Sequence, residues 1–340
     1  MDDMNVLSVE IGETLAGERL DRAVSVVTDQ SRVVAGRTID DGCVTVNGRV
    51  QRSKSFRLSA GDLLVIEVVV TQREVAPAID VPILYFDEAL FLVDKPAGLL
   101  VHANTLSDPS PTLVSAVLAL DPRIANVGDE PSLRPGIYQR LDKSTSGVMG
   151  VARTPEAFSS LKEQVGSHAM RRHYRALVEG EVDEDEGVID APLGRDHRSR
   201  TRVAIIAEGR HALTRFRVIE RFGAYTYVEL VLETGRTHQI RVHMSAIGHP
   251  LVGDQAYGGH SALLRDRVFL HSHVLGLTHP STGAPLEVAA PLPAELVAVL
   301  AALAKSVGCV GSQSSQSGTR LTGLERASPR RDPGWVPDVR

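Results

Sequence analysis

One carboxylate stands alone in the stretch RPGIYQRLDKSTSGVMGVAR, residues 134–153. Asp142 has no second acid, histidine or cysteine near it there, so any chemistry it performs is done alone or with partners from distant parts of the chain. The run VMGVA reads as a buried strand, and KSTSG before it reads as a tight polar turn, with Gly147 supplying backbone freedom. Asp142 is therefore held at a strand edge on a rigid support. Its local surroundings alone favour a plainer role, with the carboxylate capping the turn through the Ser144 or Thr145 amides. A chemical role needs a partner elsewhere.

The segment LETGRTHQIRVHMSAIGHPLVGD (232–254) offers one. Ile240, Met244 and Ile247 recur at helical spacing, Thr237 is the expected N-cap, and Gly248 followed by Pro250 is a stop signal. His238, Arg241 and Ser245 then share a polar face. An arginine turned inward needs an anion, and Asp142 is the candidate. A metal site is disfavoured: His238 and His243 are five apart, unlike the four-residue spacing of a helical zinc pair, and His271 and His273 lack a third ligand nearby. In RRHYRALVEGEV, Tyr174, Ala176 and Val178 share one strand face. Tyr174 is either a core tyrosine or a ring that stacks on a flat ligand.

These residues need a scaffold. The chain has 340 residues, 43% hydrophobic and 23% charged, which suits a soluble globular protein of about two domains. Cys43 and Cys309 have neither disulfide nor zinc spacing. The acidic N-terminus is unlike a signal peptide, and LLVIEVVV (63–70) is far too short to span a bilayer, so the expectation is a cytoplasmic protein with no membrane partner. Short helices followed by strands fill residues 14–72, with TVNGRV as a hairpin signal. A proline-bearing linker follows at 73–81. Strand signals alternate with a few helices over 82–305, among them a helix opened by Thr154 and Pro155. Residues 306–340 are rich in Ser, Gly, Pro and Arg and are expected to be a disordered tail. The predicted class is α+β: a mixed, largely antiparallel sheet with flanking helices and a central cleft, plus a small N-terminal α/β domain.

The net charge of -5 does not advertise a nucleic-acid partner, but the basic residues cluster. Arg49, Arg52, Lys54 and Arg57 form one group; Arg171, Arg172 and Arg175 a second; Arg195, Arg198, Arg200 and Arg202 a third. A charge run is usually a solvated face. Three of them on an acidic chain suit a phosphate backbone.

Taken together, ILYFDEALFLVDKPAGLLVH, RPGIYQRLDKSTSGVMGVAR, LKEQVGSHAMRRHYRALVEG, LETGRTHQIRVHMSAIGHPLVGDQAYG and LHSHVLGLTHPSTGAPLEVAAPLP resemble the RluA-type pseudouridine synthases. RLDRAVSVV, SRVVAGRTIDDGCVTVNGRV and LSAGD resemble the small RNA-binding domain named after ribosomal protein S-four. The resemblance implies isomerisation of specific uridines in structured RNA, most of all large-subunit ribosomal RNA, by a monomer that uses no cofactor. A transfer-RNA-directed enzyme and a non-catalytic RNA-binding assembly factor are the alternatives. It implies Asp142 as nucleophile, Tyr174 as the ring against the target base, Arg241 as the partner of Asp142, and Arg140 as the group filling the space of the extruded base. Lys95, in DKPAG, is expected at the floor of the site. Lys95, Arg171, Arg172, Arg49, Arg52 and Lys54 are expected to bind substrate. The carboxylate has three routes: attack on C1′, attack on C6, or removal of a sugar proton. One residue departs from the family pattern, Gln139 standing where a histidine is usual; it keeps a hydrogen-bonding amide but carries no charge.

Overall fold

The computed structural model describes residues 4–28, 32–69, 79–103, 110–196, 202–260, 263–264 and 267–313. The chain opens with strand β1 (Met4–Glu10), helices α1 (Leu20–Thr28) and α2 (Arg32–Asp40), and strands β2 (Val44–Val46), β3 (Arg49–Val50) and β4 (Leu63–Val69). The strands form an antiparallel sheet in the order β1-β4-β2-β3. Asn47 and Gly48 turn the expected hairpin with positive φ of 50° and 75°, the conformation that favours this pair. Leu20, Val24, Ile39, Val44, Leu64 and Ile66 close a core of their own between this sheet and the two helices.

Beyond residue 78 come β5 (Ile83–Phe86), β6 (Leu90–Lys95), α3 (Leu113–Leu120), β7 (Ser146–Ala152) and α4 (Pro155–Gly166). Then follow β8 (Arg171–Glu179), β9 (Glu186–Asp190), β10 (Leu193–Arg195), β11 (Val203–Ile205), β12 (Leu213–Arg221) and β13 (Tyr225–Leu232). Helix α5 (Gln239–Ala246), strands β14 (Leu270–Thr278) and β15 (Pro285–Ala289), and helix α6 (Ala294–Gln313) complete the order. Nine strands form one sheet, β5-β6-β7-β14-β8-β13-β12-β9, with β15 beside β14; β10 and β11 pair separately. Every pair in the large sheet is antiparallel except β7 with β14. The predicted α+β class with a mixed, largely antiparallel sheet is the one observed. No helix among the described residues is long and apolar enough to cross a membrane.

The parallel pair carries the lone carboxylate. All seven residues of β7 are buried, as a continuous apolar run covered on both faces should be. A Cβ on Gly147, whose φ is 114°, would lie 2.1 Å from the Ser272 carbonyl oxygen of β14, so only glycine lets the two strands approach here. Ser146 fixes the start of β7: its hydroxyl accepts from Arg267 Nη2 at 2.9 Å and lies 2.9 Å from His271 Nδ1. Thr154 caps α4 as expected, its side chain accepting from the Ala157 N–H.

Two expectations are corrected. Thr237 does not cap α5: the cap position is His238, left-handed at φ 56°, and makes no side-chain cap. Gln239 ties the turn instead, its Oε1 accepting from the Arg236 N–H at 3.0 Å and the Thr234 hydroxyl at 2.8 Å. Helix α6 runs on to Gln313, into the stretch assigned to the tail. The remainder of that stretch, 314–340, lies outside the described residues, as do Arg198 and Arg200.

Cross-strand charge also holds the middle of the sheet. Glu229 on β13 faces His173 (3.6 Å) and Arg175 (3.3 Å) from β8 and Arg217 (3.1 Å) from β12. The His173 contact, with the two arginines, outweighs burial and holds the Glu229 carboxyl down to about 2, below its ordinary 4.5. A depressed carboxyl contributes stability above its unfolded pKa and loses it as pH falls through the folded one. The melting temperature is therefore expected to drop as pH falls from 4.5 to about 2. In Glu229→Gln the fall across that window is expected to be shallower, as thermal unfolding at stepped pH would show.

Candidate active site

The loop between residues 138 and 146 brings Asp142 to the rim of a cleft of about 220 Å³. Its main-chain carbonyl accepts the Thr145 N–H at 3.1 Å, so the backbone closes the turn and the side chain is free for other work. The carboxylate turns to α5: Arg241 Nη1 donates to Asp142 Oδ2 at 3.1 Å, the contact expected from an inward arginine. His238 Nε2 lies 3.7 Å from the same oxygen. Oδ1 has no hydrogen-bond partner among the described residues.

Arg241 is itself held from behind. Its Nε and Nη2 donate to the two oxygens of Asp254 at 2.7 and 2.8 Å, and the Asp254 side chain is only 1% exposed. Its guanidinium also lies over the Tyr257 ring, 4.9 Å from the centroid. Burial would lower the Arg241 pKa, but the hydrogen bonds and charge of Asp254, with the charge of Asp142, raise it. A permanent cation is thus clamped by one buried carboxylate and aimed at a second. Neither Asp254 nor Tyr257 was singled out from the sequence. The available signal was the size of the guanidinium fork: one carboxylate at one Nη leaves the Nε edge unpaired, and Asp254 closes the same quoted segment.

Tyr174 on β8 forms a wall of the cleft with Leu232, Ile240 and Leu270. Burial pushes its hydroxyl pKa up, so the ring stays neutral. Arg140 lines the cleft and is exposed, and Gln139 lines it beside Arg140. Arg172 also lines it, 6% exposed; its Nη2 donates to the Glu233 carbonyl at 2.9 Å, while its buried Nε has no partner. Gly235 makes room for it, since a Cβ there would stand 2.4 Å from Arg172 Nη1.

Other expected substrate contacts lie elsewhere. Lys95 is fully buried beneath the loop, its Nζ donating to the carbonyls of Pro96 (2.8 Å), Leu99 (2.9 Å) and Lys143 (3.4 Å). Burial pushes its pKa down to about 7. Its ammonium is spent on main chain and does not line the cleft. Arg171 points away from the cleft and pairs with Glu287 at 3.4 Å on the surface. Arg49, Arg52 and Lys54 are exposed on the N-terminal unit. There Lys54 pairs with Asp40 at 2.6 Å and Arg52 donates to the Asp40 carbonyl, which caps the end of α2. Among the described residues no group of three or more acids, histidines and cysteines could hold a metal. His271 is occupied by Ser146 and the Ala290 carbonyl, and His273 by that same carbonyl.

Residues 89–246 match the family of RNA pseudouridylate synthases, and residues 18–64 match the S4 domain. An RNA pseudouridine synthase of Bacillus subtilis is 37% identical over 311 residues, covering 89% of this chain and 100% of its own. The ribosomal large subunit pseudouridine synthase D of Pseudomonas aeruginosa is 40% identical over 318 residues, covering 89% of this chain and 97% of its own. Among solved structures, human RNA pseudouridylate synthase domain containing 1 aligns with a TM-score of 0.52 at 26% identity, covering 69% of this chain and 96% of that one.

Proposed function

The chain belongs to the RNA pseudouridylate synthase family, and we propose that it isomerises uridines of large-subunit ribosomal RNA with Asp142 as nucleophile. The observation that supports this reading is the solitary carboxylate lining the cleft, one oxygen held by Arg241 and the other without a partner among the described residues. The reaction breaks the C1′–N1 bond and joins C1′ to C5; C5 loses a hydrogen and N1 gains one, so nothing is added or removed overall. A carboxylate, with its negative charge, suits it. Arg241 stabilises that charge and, clamped by Asp254, holds its direction during turnover.

The target uridine leaves the stack to reach the carboxylate. Tyr174 then packs on its base, Arg140 at the exposed rim occupies the vacated space, and Arg172 meets the substrate inside the cleft. The cleft, small beside a typical ligand pocket of about 300–1,000 Å³, suits one pyrimidine rather than a longer segment. Tyr174, Leu232, Ile240 and Leu270 give the detached base one apolar wall to rest on. We assign residues 14–72 to RNA binding, with Arg49, Arg52 and Lys54 on the phosphate backbone, and residues 82–305 to catalysis, in a cytoplasmic monomer. The names of relatives, among them the Pseudomonas aeruginosa enzyme, support ribosomal RNA as the target.

Mapping pseudouridine in cells that lack the gene tests this. At least one site in large-subunit ribosomal RNA is expected to revert to uridine and to return with the wild-type gene. Loss confined to transfer RNA would move the target; loss of no site would remove the assigned activity.

A further inference from the structure

His238 is not explained by the roles above. It holds φ at 56°, a left-handed conformation costly for a residue with a Cβ, and its ring stands between Tyr257 and Asp142. Nδ1 lies 2.7 Å from the Tyr257 hydroxyl, and Nε2 points at Asp142 Oδ2 across 3.7 Å. The Tyr257 oxygen accepts the main-chain N–H of Val203 at 3.1 Å, a group that can only donate. The Tyr257 O–H is then free to donate to Nδ1. That leaves the proton of a neutral imidazole on Nε2, facing the carboxylate.

Accepting Asp142 as the nucleophile, we propose that His238 is a positioning residue for the reaction: oriented by Tyr257, it donates Nε2–H to Asp142 Oδ2 and so commits Oδ1 to the substrate. With Arg241 on the same oxygen, two donors from α5 and its cap fix the carboxylate's rotation about its Cβ–Cγ bond. The 3.7 Å separation exceeds a hydrogen bond and must shorten to one as substrate binds, as catalytic hydrogen bonds often do. The surrounding charges suit a neutral ring. Burial lowers the His238 pKa, and Arg241 and Arg140 act with it against the pull of Asp142 and Asp254.

Single-turnover rates and RNA affinity of the full-length protein test this, on an RNA in which the wild-type protein forms pseudouridine. His238→Ala is expected to slow the step about 30-fold, the worth of a hydrogen bond to a charged group, with RNA affinity unchanged. His238→Gln retains an N–H of similar reach and is expected to stay within about threefold of wild type. Tyr257→Phe should slow the wild-type protein about fivefold and add nothing in the His238→Ala background, because its effect passes through the imidazole. A wild-type rate in His238→Ala would overturn the proposal. So would a His238→Gln that falls as far as His238→Ala while melting like wild type, or full additivity with Tyr257→Phe. If Asp142→Asn is inactive in the same assay, such results dispose of His238 alone and leave the nucleophile in place.

Discussion

Asp142→Asn is expected to slow pseudouridine formation by about 10⁴-fold or more, the scale on which removal of a nucleophile acts in other enzymes. The replacement is nearly isosteric, and an amide oxygen can still accept from Arg241 Nη1. The Thr145 N–H is taken by the main chain of residue 142 and does not depend on its side chain. Arg241 keeps both bonds to Asp254. The variant should therefore melt close to wild type and bind RNA as well, with only the reacting charge missing. Single-turnover conversion, RNA affinity and thermal unfolding of one preparation would check all three. A residual rate within tenfold of wild type would place the nucleophile elsewhere.

This pairing was legible in the sequence because of a physical asymmetry. Arg241 falls on the polar face of α5 with His238 and Ser245, and a guanidinium on such a face that turns into the protein is tolerated only with an anion. Asp142, isolated from other acids, was the available one. What lies behind Arg241 was not legible. Asp254 reaches it through the turn after α5, whose path depends on Gly253 at φ 83° and on its close approach to the main chain of Arg267 and Val268, just before β14. Residue types do not announce that path. Lys95 shows the opposite failure. A lysine in a motif near the site reads as a substrate contact, yet three carbonyls of the loops beneath Asp142 claim its ammonium first. Thr237 failed as a cap for a related reason: Gln239, two positions on, had both an acceptor for the turn and donors for β12. The strand periods gave the class of the sheet, but the β7–β14 contact joins residues about 125 apart and rests on the close approach at Gly147. Local pattern carries no term for such a pairing.

Arg241→Ala is expected to lower both stability and rate, and the two losses have different origins. With the guanidinium gone, Asp254 is a carboxylate at 1% exposure with no counter-charge. Breaking a buried pair in this way costs about 3–5 kcal/mol, a fall in melting temperature on the order of 10 °C. Arg241→Lys should recover only part of this, since one ammonium cannot serve both oxygens of Asp254 and reach Asp142 as a planar fork does. The rate should fall by about 10²–10³-fold, as when one preorganised donor to a reacting charge is removed. Replacing the whole buried pair separates the effects. Arg241→Met combined with Asp254→Leu fills the space with apolar groups and leaves no orphan charge, an exchange that is often neutral or stabilising. The double variant is expected to melt near wild type while remaining as slow as Arg241→Ala, because Asp142 still lacks its cation. If rate returned along with stability, Arg241 would be acting through the fold alone, and the charge of Asp142 would have to be sustained by His238.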